Sequence, residues 1–240
     1  MSSKSEVGNN KNVANYSAGI QILNEMGALY NPPDRLKILN LTPLEAQLAP
    51  IMAALNQDLA TKSIAIADRK TAFGNLDRKV TMSNNYFKSL DVDAKDKENV
   101  NALAKEIRGD NKKKDKKVTE GEEKKEHSNS HQSYDNLVAN FKKYTTLLSS
   151  FPEYAPNETE ISIPTFTTYG DELLALNHTV VASDAALITG RKDRNDPLYF
   201  DTPNVISLMR DVKAYVKSLG EPGKPYYQAL VRLKFVGYKP

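Results

Sequence analysis

Apolar residues recur along most of this chain at helical spacing. Ile20, Leu23, Met26 and Leu29 fall three apart and, with Tyr16, predict a short amphipathic helix over 15–29. Asn31-Pro32-Pro33 stops it. The next start signal is Leu41-Thr42-Pro43-Leu44-Glu45, with Thr42 as N-cap, Pro43 at N1 and Glu45 at N3, the pattern of a capping box. Behind it run Leu44, Leu48, Ile51, Leu55, Leu59, Ile66, Phe73, Leu76 and Val80, the stripe of a long helix pressed against a partner. Pro50 is a candidate kink, Gly74-Asn75 a second weak point, and the helix ends near Leu90. A further segment from Glu98 to Arg108 carries Val100, Leu103, Ala104 and Ile107, with Gly109 placed to cap it.

Two stretches break the pattern. Residues 1–14 are polar and read as a disordered tail. Residues 109–132 alternate Lys-rich and Glu-rich runs around one apolar residue, Val118, and read as a charged flexible linker. The periodicity then returns. Tyr134, Leu137, Phe141, Tyr144, Leu147 and Leu148 predict a helix that ends before Phe151-Pro152. A long helix from about Pro164 is expected to weaken at Gly190 and break at Asp196-Pro197. Thr202-Pro203 repeats the Thr-Pro start, and Val205, Leu208, Met209, Val212, Tyr215, Val216 and Leu219 form the buried face behind it, closed by Gly220. Residues 226–235 read as a short helix, with a terminal strand as the alternative.

The two halves, 15–108 and 133–240, look like copies. Tyr30-Asn31-Pro32 corresponds to Tyr154-Ala155-Pro156, and Leu41-Thr42-Pro43 to Ser162-Ile163-Pro164. Ile66-Ala67-Asp68-Arg69-Lys70 corresponds to Ile188-Thr189-Gly190-Arg191-Lys192, and Lys88-Ser89-Leu90 to Lys217-Ser218-Leu219. Neither half buries its apolar faces alone. The expected fold is therefore all-α, a four-helix-type bundle of two tandem hairpin units merged in one core, with two separate three-helix or four-helix units as the alternative.

Composition narrows the function classes. The chain has 240 residues and 40% hydrophobic residues, enough for a real core. Its 33 basic and 30 acidic residues leave a net charge of +3, too small to point to nucleic acid. With no cysteine there is no thiolate nucleophile or cysteine-bound metal. The N-terminus lacks a signal peptide's apolar region, so the expected location is cytoplasmic. No integral membrane segment is expected either, since charged residues interrupt the apolar runs.

No phosphate-binding glycine loop, HExxH pair or GxSxG elbow is present. Of three histidines, His127 and His131 lie in the charged middle, and His178 lacks the Glu three residues earlier that a di-iron bundle uses. No catalytic, cofactor-binding or metal-ligating residue is assigned, and no cofactor is expected. Arg69-Lys70 and Arg191-Lys192 would form a small basic patch in a merged bundle, and many of the twelve tyrosines sit at helix ends, where they seal the bundle, with an interface cluster as the alternative.

Three segments carry a resemblance: Tyr16–Pro33, Phe151–Ile161 and Val212–Phe235. They resemble a set of uncharacterised proteins of Bacteroidota such as flavobacteria, which share the two-copy layout and have no assigned activity. The resemblance implies a bacterial source and carries over no functional residue. The sequence thus points to a non-enzymatic helical bundle that binds an unknown protein partner or itself. An enzyme with an unrecognised site and a membrane-acting helical protein are the alternatives.

Overall fold

A computed structural model describes residues 4–110 and 133–238, and all regular structure among them is helical. The charged stretch lies outside the described residues from position 111 onward, together with His127 and His131. In the first half, α1 covers Lys4–Met26, α2 Ile38–Phe73, α3 Leu76–Ser89 and α4 Ala94–Arg108. In the second half, α5 covers Tyr134–Ser149, α6 Ile163–Asn195, α7 Val205–Ser218 and α8 Lys224–Arg232.

The expected tail at 1–14 is corrected: helix α1 begins at Lys4. Its early turns are held by polar rather than apolar side chains, so hydrophobic periodicity does not reveal them. Asn12 is fully buried, and its amide donates to the Tyr199 hydroxyl (3.0 Å) and the Val236 carbonyl (2.8 Å) while its oxygen accepts from the Val236 amide (2.8 Å). Asn9 accepts from the same tyrosine hydroxyl.

Helix α2 also starts earlier than its capping signal. Thr42 lies one turn inside, with its hydroxyl donating to the Ile38 carbonyl at 2.9 Å. The helix tolerates both Pro43 and Pro50. A proline returns no amide to the carbonyl four residues back. Here those carbonyls belong to Leu39 and Ala46, both exposed, so water can take the missing bond.

The break foreseen at Gly74-Asn75 separates α2 from α3. Asp93 caps α4 through its side chain, and Gly109 ends it at φ 73°, the left-handed conformation glycine favours. In the second half, α6 runs straight through Gly190 and gives way to a π-type turn at Asp196–Phe200. The Thr202 cap is corrected. Thr202-Pro203 is a cis peptide before the helix, and Asn204 caps α7 in a reciprocal pair with Ser207. Residues 224–232 are helix, not strand.

The compact units do not follow the two halves. Unit 1 contains residues 1–61 and 184–240, and unit 2 contains residues 62–183. Unit 1 therefore combines α1 and the start of α2 with the end of α6, α7 and α8. Unit 2 combines the end of α2, α3 and α4 with α5 and the start of α6. Sequential repeats packing each as its own hairpin would divide the chain near the charged stretch, and it does not divide there.

Each unit has its own core. In unit 1, Tyr16, Leu23, Leu41 and Leu48 from the first half close on Met209, Val212, Val216 and Leu230 from the second. Gly19 is where α1 and α7 meet: a Cβ there would lie 2.5 Å from the Met209 methyl carbon. In unit 2, Phe87, Val100 and Ile107 close on Phe141, Leu148 and Phe166, with aromatic edges meeting at Phe73–Tyr134, Phe87–Phe151 and Tyr86–Tyr154.

Two turns lead into the long helices by the same device. Before α2, the Tyr30 hydroxyl donates to the Leu36 carbonyl at 2.7 Å, over a single helical turn at Asp34–Leu36. Before α6, the Tyr154 hydroxyl donates to the Ile161 carbonyl at 2.8 Å, over a single helical turn at Thr159–Ile161.

Candidate interaction surface

The long helices bury a narrow, mostly apolar line with polar residues set into it. In α6 the buried line is Phe166, Leu173, Val180, Leu187 and Arg194, one residue every seven. The adjoining line includes Asn177, buried, and Asp184, half-buried. In α2 the buried line is Leu41, Leu48 and Leu55, and half-buried Lys62 and Arg69 continue it at the same interval. Such sevens define a narrow seam of the coiled-coil kind, with polar residues placed in it. In unit 1 the seam brings α2 and α6 close: a Cβ at Gly190 would lie 3.2 Å from Leu55 and 3.3 Å from the Asp58 carboxylate.

The exposed sides of the same helices carry no formal charge over long runs. In unit 1 the exposed residues of α2 from Ala46 to Thr61 are alanine, proline, glutamine, asparagine and threonine. Those of α6 from Ala185 to Thr189 are Ala185, Ala186, Ile188 and Thr189. In unit 2, α6 exposes Ala175, His178, Thr179, Val181 and Ala182, and α2 exposes Ser63, Ile64, Ile66 and Ala67. Val181 and Ile188 are 66% and 69% exposed, values that place them firmly outside any core. In a chain with 26% charged residues, an uncharged outward face of this length is the feature most in need of a purpose.

The stripe expected for α2 is corrected at its middle. Leu48, Leu55, Phe73, Leu76 and Val80 are buried as expected, but Ile66 is 40% exposed and Ala65 takes the inward position. The seven-residue interval, visible in Leu41-Leu48-Leu55 and Phe166-Leu173-Val180-Leu187, is the signal that locates the seam. Apolarity alone points to the bulkier neighbours.

By length and composition alone, two helical stretches reach the threshold for crossing a membrane. Ile38–Ser89 and Ile163–Ser218 contain 18-residue windows of mean hydropathy 1.3 and 1.2, with 17% and 28% of the window buried. Core helices of water-soluble bundles pass the same test.

The other polar residues singled out in the sequence serve their own units. Arg69 lies in unit 2, its guanidinium 4.0 Å from the Tyr134 ring centre, and Lys192 lies in unit 1, paired with Asp196 at 2.6 Å. The two Arg-Lys pairs thus belong to different units. Asp171 pairs with Lys142 at 2.7 Å, and His178 is exposed. A shallow open cleft in unit 2, lined by Lys79, Pro164, Thr168, Tyr169 and Glu172, has no buried acid–base pair. Among the described residues, no group of three or more histidine, aspartate or glutamate side chains is placed to hold a metal ion.

The tyrosines are internal struts. Tyr144 shares a proton with Ser83 at 2.8 Å, Tyr16 donates to the Leu41 carbonyl at 3.0 Å, and Tyr169 donates to the Ala72 carbonyl at 2.6 Å. Burial pushes the Tyr169 hydroxyl up to about 12, and it raises Tyr16, Tyr30, Tyr144 and Tyr154 as well. Proton exchange near neutral pH is thereby closed to them, so they hold structure rather than move protons.

Comparison with protein-family models, with curated proteins and with solved structures finds no match. The surface itself therefore carries the functional reading.

Proposed function

We propose that this protein is a non-enzymatic structural component that works by protein–protein association, through the uncharged outward faces of α2 and α6, with a second copy of itself as the first partner to test. The observation that carries the reading is the uncharged outward runs: polar Asn177 and Arg194 are buried along the seam while alanine, threonine and isoleucine face out. Small uncharged side chains let another helix approach closely, and the absence of charge removes repulsion between identical copies. The reading includes a cytoplasmic location and a bacterial source, as the sequence suggests. It also takes the two halves as copies of one unit, supported by their shared element order and their paired tyrosine-closed turns.

Multi-angle light scattering over a concentration series tests it. Mass should rise above that of the 26.7 kDa chain, and Ala53→Glu with Val181→Glu should return it to the monomer with an unchanged helical spectrum. A wild-type protein that stays monomeric at every concentration removes self-association.

A second reading, action on a membrane, is favoured by the two apolar windows. Release of dye from anionic lipid vesicles, lost on Val181→Glu, would favour it over self-association. The exposed carbonyls left by Pro43 and Pro50 weigh against it, because the bilayer interior offers them no donor.

A further inference from the structure

We propose that the two halves of this chain, 4–110 and 133–238, are each other's binding partner: each compact unit is a complex between them, held by their shared surfaces and not by the connection through 111–132. The division of the chain carries this. The first half gives α1 and the beginning of α2 to unit 1, and the end of α2, α3 and α4 to unit 2. The second half does the converse, giving α5 and the beginning of α6 to unit 2 and the rest to unit 1. This is the reciprocal exchange of a domain-swapped dimer, written within one chain.

The surfaces that meet are built for each other in both units. In unit 1, Asn15 donates to the Lys234 carbonyl at 2.8 Å, Arg35 pairs with Asp211 at 2.8 Å, and Tyr30 meets Tyr215 edge-on at 5.6 Å. In unit 2, the Ser83–Tyr144 and Tyr169–Ala72 bonds join the same two halves, and Arg78 pairs with Glu160. A half standing alone keeps only part of each core: α3 and α4 still meet, but Phe87 and Val100 lose Phe141 and Leu148, and Tyr16 and Leu23 lose Met209 and Val212. The same surfaces accept the matching half of a second copy once the pairing within the chain is opened.

The proposal does not depend on what the outward faces bind. Its test is a full-length chain with a site for a sequence-specific protease inserted after Gly121, cut to completion. The two fragments should co-elute on gel filtration in native buffer and keep the helical spectrum of the uncut protein. The melting temperature of the cut protein should rise with concentration, because folding has become bimolecular, while that of the uncut monomeric variant Ala53→Glu/Val181→Glu should not. When a cut, tagged protein and a cut, untagged one are unfolded together and refolded, the tagged first half should recover untagged second half. The chain has no cysteine, so Asp58→Cys with Gly190→Cys adds one defined cross-link. After cutting and oxidation, that variant should run as a single band on a non-reducing denaturing gel. Fragments that part in native buffer, whether each is folded or unfolded, overturn the proposal, as do two bands from the fully oxidised cysteine variant.

Discussion

Helices α6 and α7 adjoin in sequence and present different faces to water. Helix α7 buries Val205, Leu208, Met209, Val212 and Val216 and turns Arg210 and Lys217 outward, the ordinary amphipathic division. Helix α6 buries Asn177 and Arg194 along its seam and turns Val181 and Ile188 outward. A residue type therefore says little here without the face it occupies. Arg210 and Lys217 put charge on the exposed side of α7, whereas the exposed residues of α6 from Ala175 to Thr189 carry none.

One substitution made on both helices gives the sharpest contrast. Val212→Asp places an unpaired carboxylate in the core of unit 1 and should cost upward of about 4 kcal/mol, enough to unfold that unit in chemical denaturation. An intact unit 1 core in that variant would break the comparison. Alkaline pH attacks the packed regions next. The ordinary tyrosine pKa is about 10. The folded state holds its protons above that, with Tyr169 reaching about 12. Stability is thus complete below about pH 10 and is lost as pH rises from there toward 12. Thermal melts should decline over that window and stay flat below it as far as these hydroxyls are concerned.

Smaller effects test the turns and caps. Tyr30→Phe and Tyr154→Phe each remove the donor to a turn carbonyl, and each should cost about 1 kcal/mol by urea titration. Similar losses in the two would support equivalent roles for the turns. Asn204→Ala removes the α7 cap and should also cost about 1 kcal/mol. At the bottom of the scale lies Val181→Asp. It should leave stability within about 0.5 kcal/mol while lowering the associated mass in light scattering. A large loss of stability there would mean that the outward face of α6 is core, and the contrast with α7 would fail.

Much of the helical content was legible because aliphatic spacing reports directly on packing. The helices over Tyr134–Ser149 and Val205–Ser218 follow from it, while the break at Gly74-Asn75 and the stop at Asn31-Pro32-Pro33 follow from residues that interrupt helices. Three kinds of feature were not legible. The first turns of α1 depend on Asn9 and Asn12, whose partners lie at the far end of the chain. Capping motifs at Thr42 and Thr202 satisfy the local rule, but neither starts a helix: one is absorbed into α2 and the other lies in a turn. The exchange of helices between units depends on where two long helices lead. Local sequence encodes each helix but not its destination. As for the candidate surface, Ile66 was read into the buried stripe because it is apolar, and the uncharged alanine, threonine, asparagine and glutamine positions around it carry no periodic signal of their own.

Asn12 joins positions near the two ends of the chain by holding both the amide and the carbonyl of Val236. Positions 12 and 236 therefore lie side by side in unit 1, while positions 111–132 fall within the sequence span of unit 2. Joining the present termini with a short flexible segment and opening the chain between Asp110 and Ser133 would keep every helix in its place. A circular permutant of this kind should fold to the same two units. The order in which these helices are written is thus separable from the structure they make.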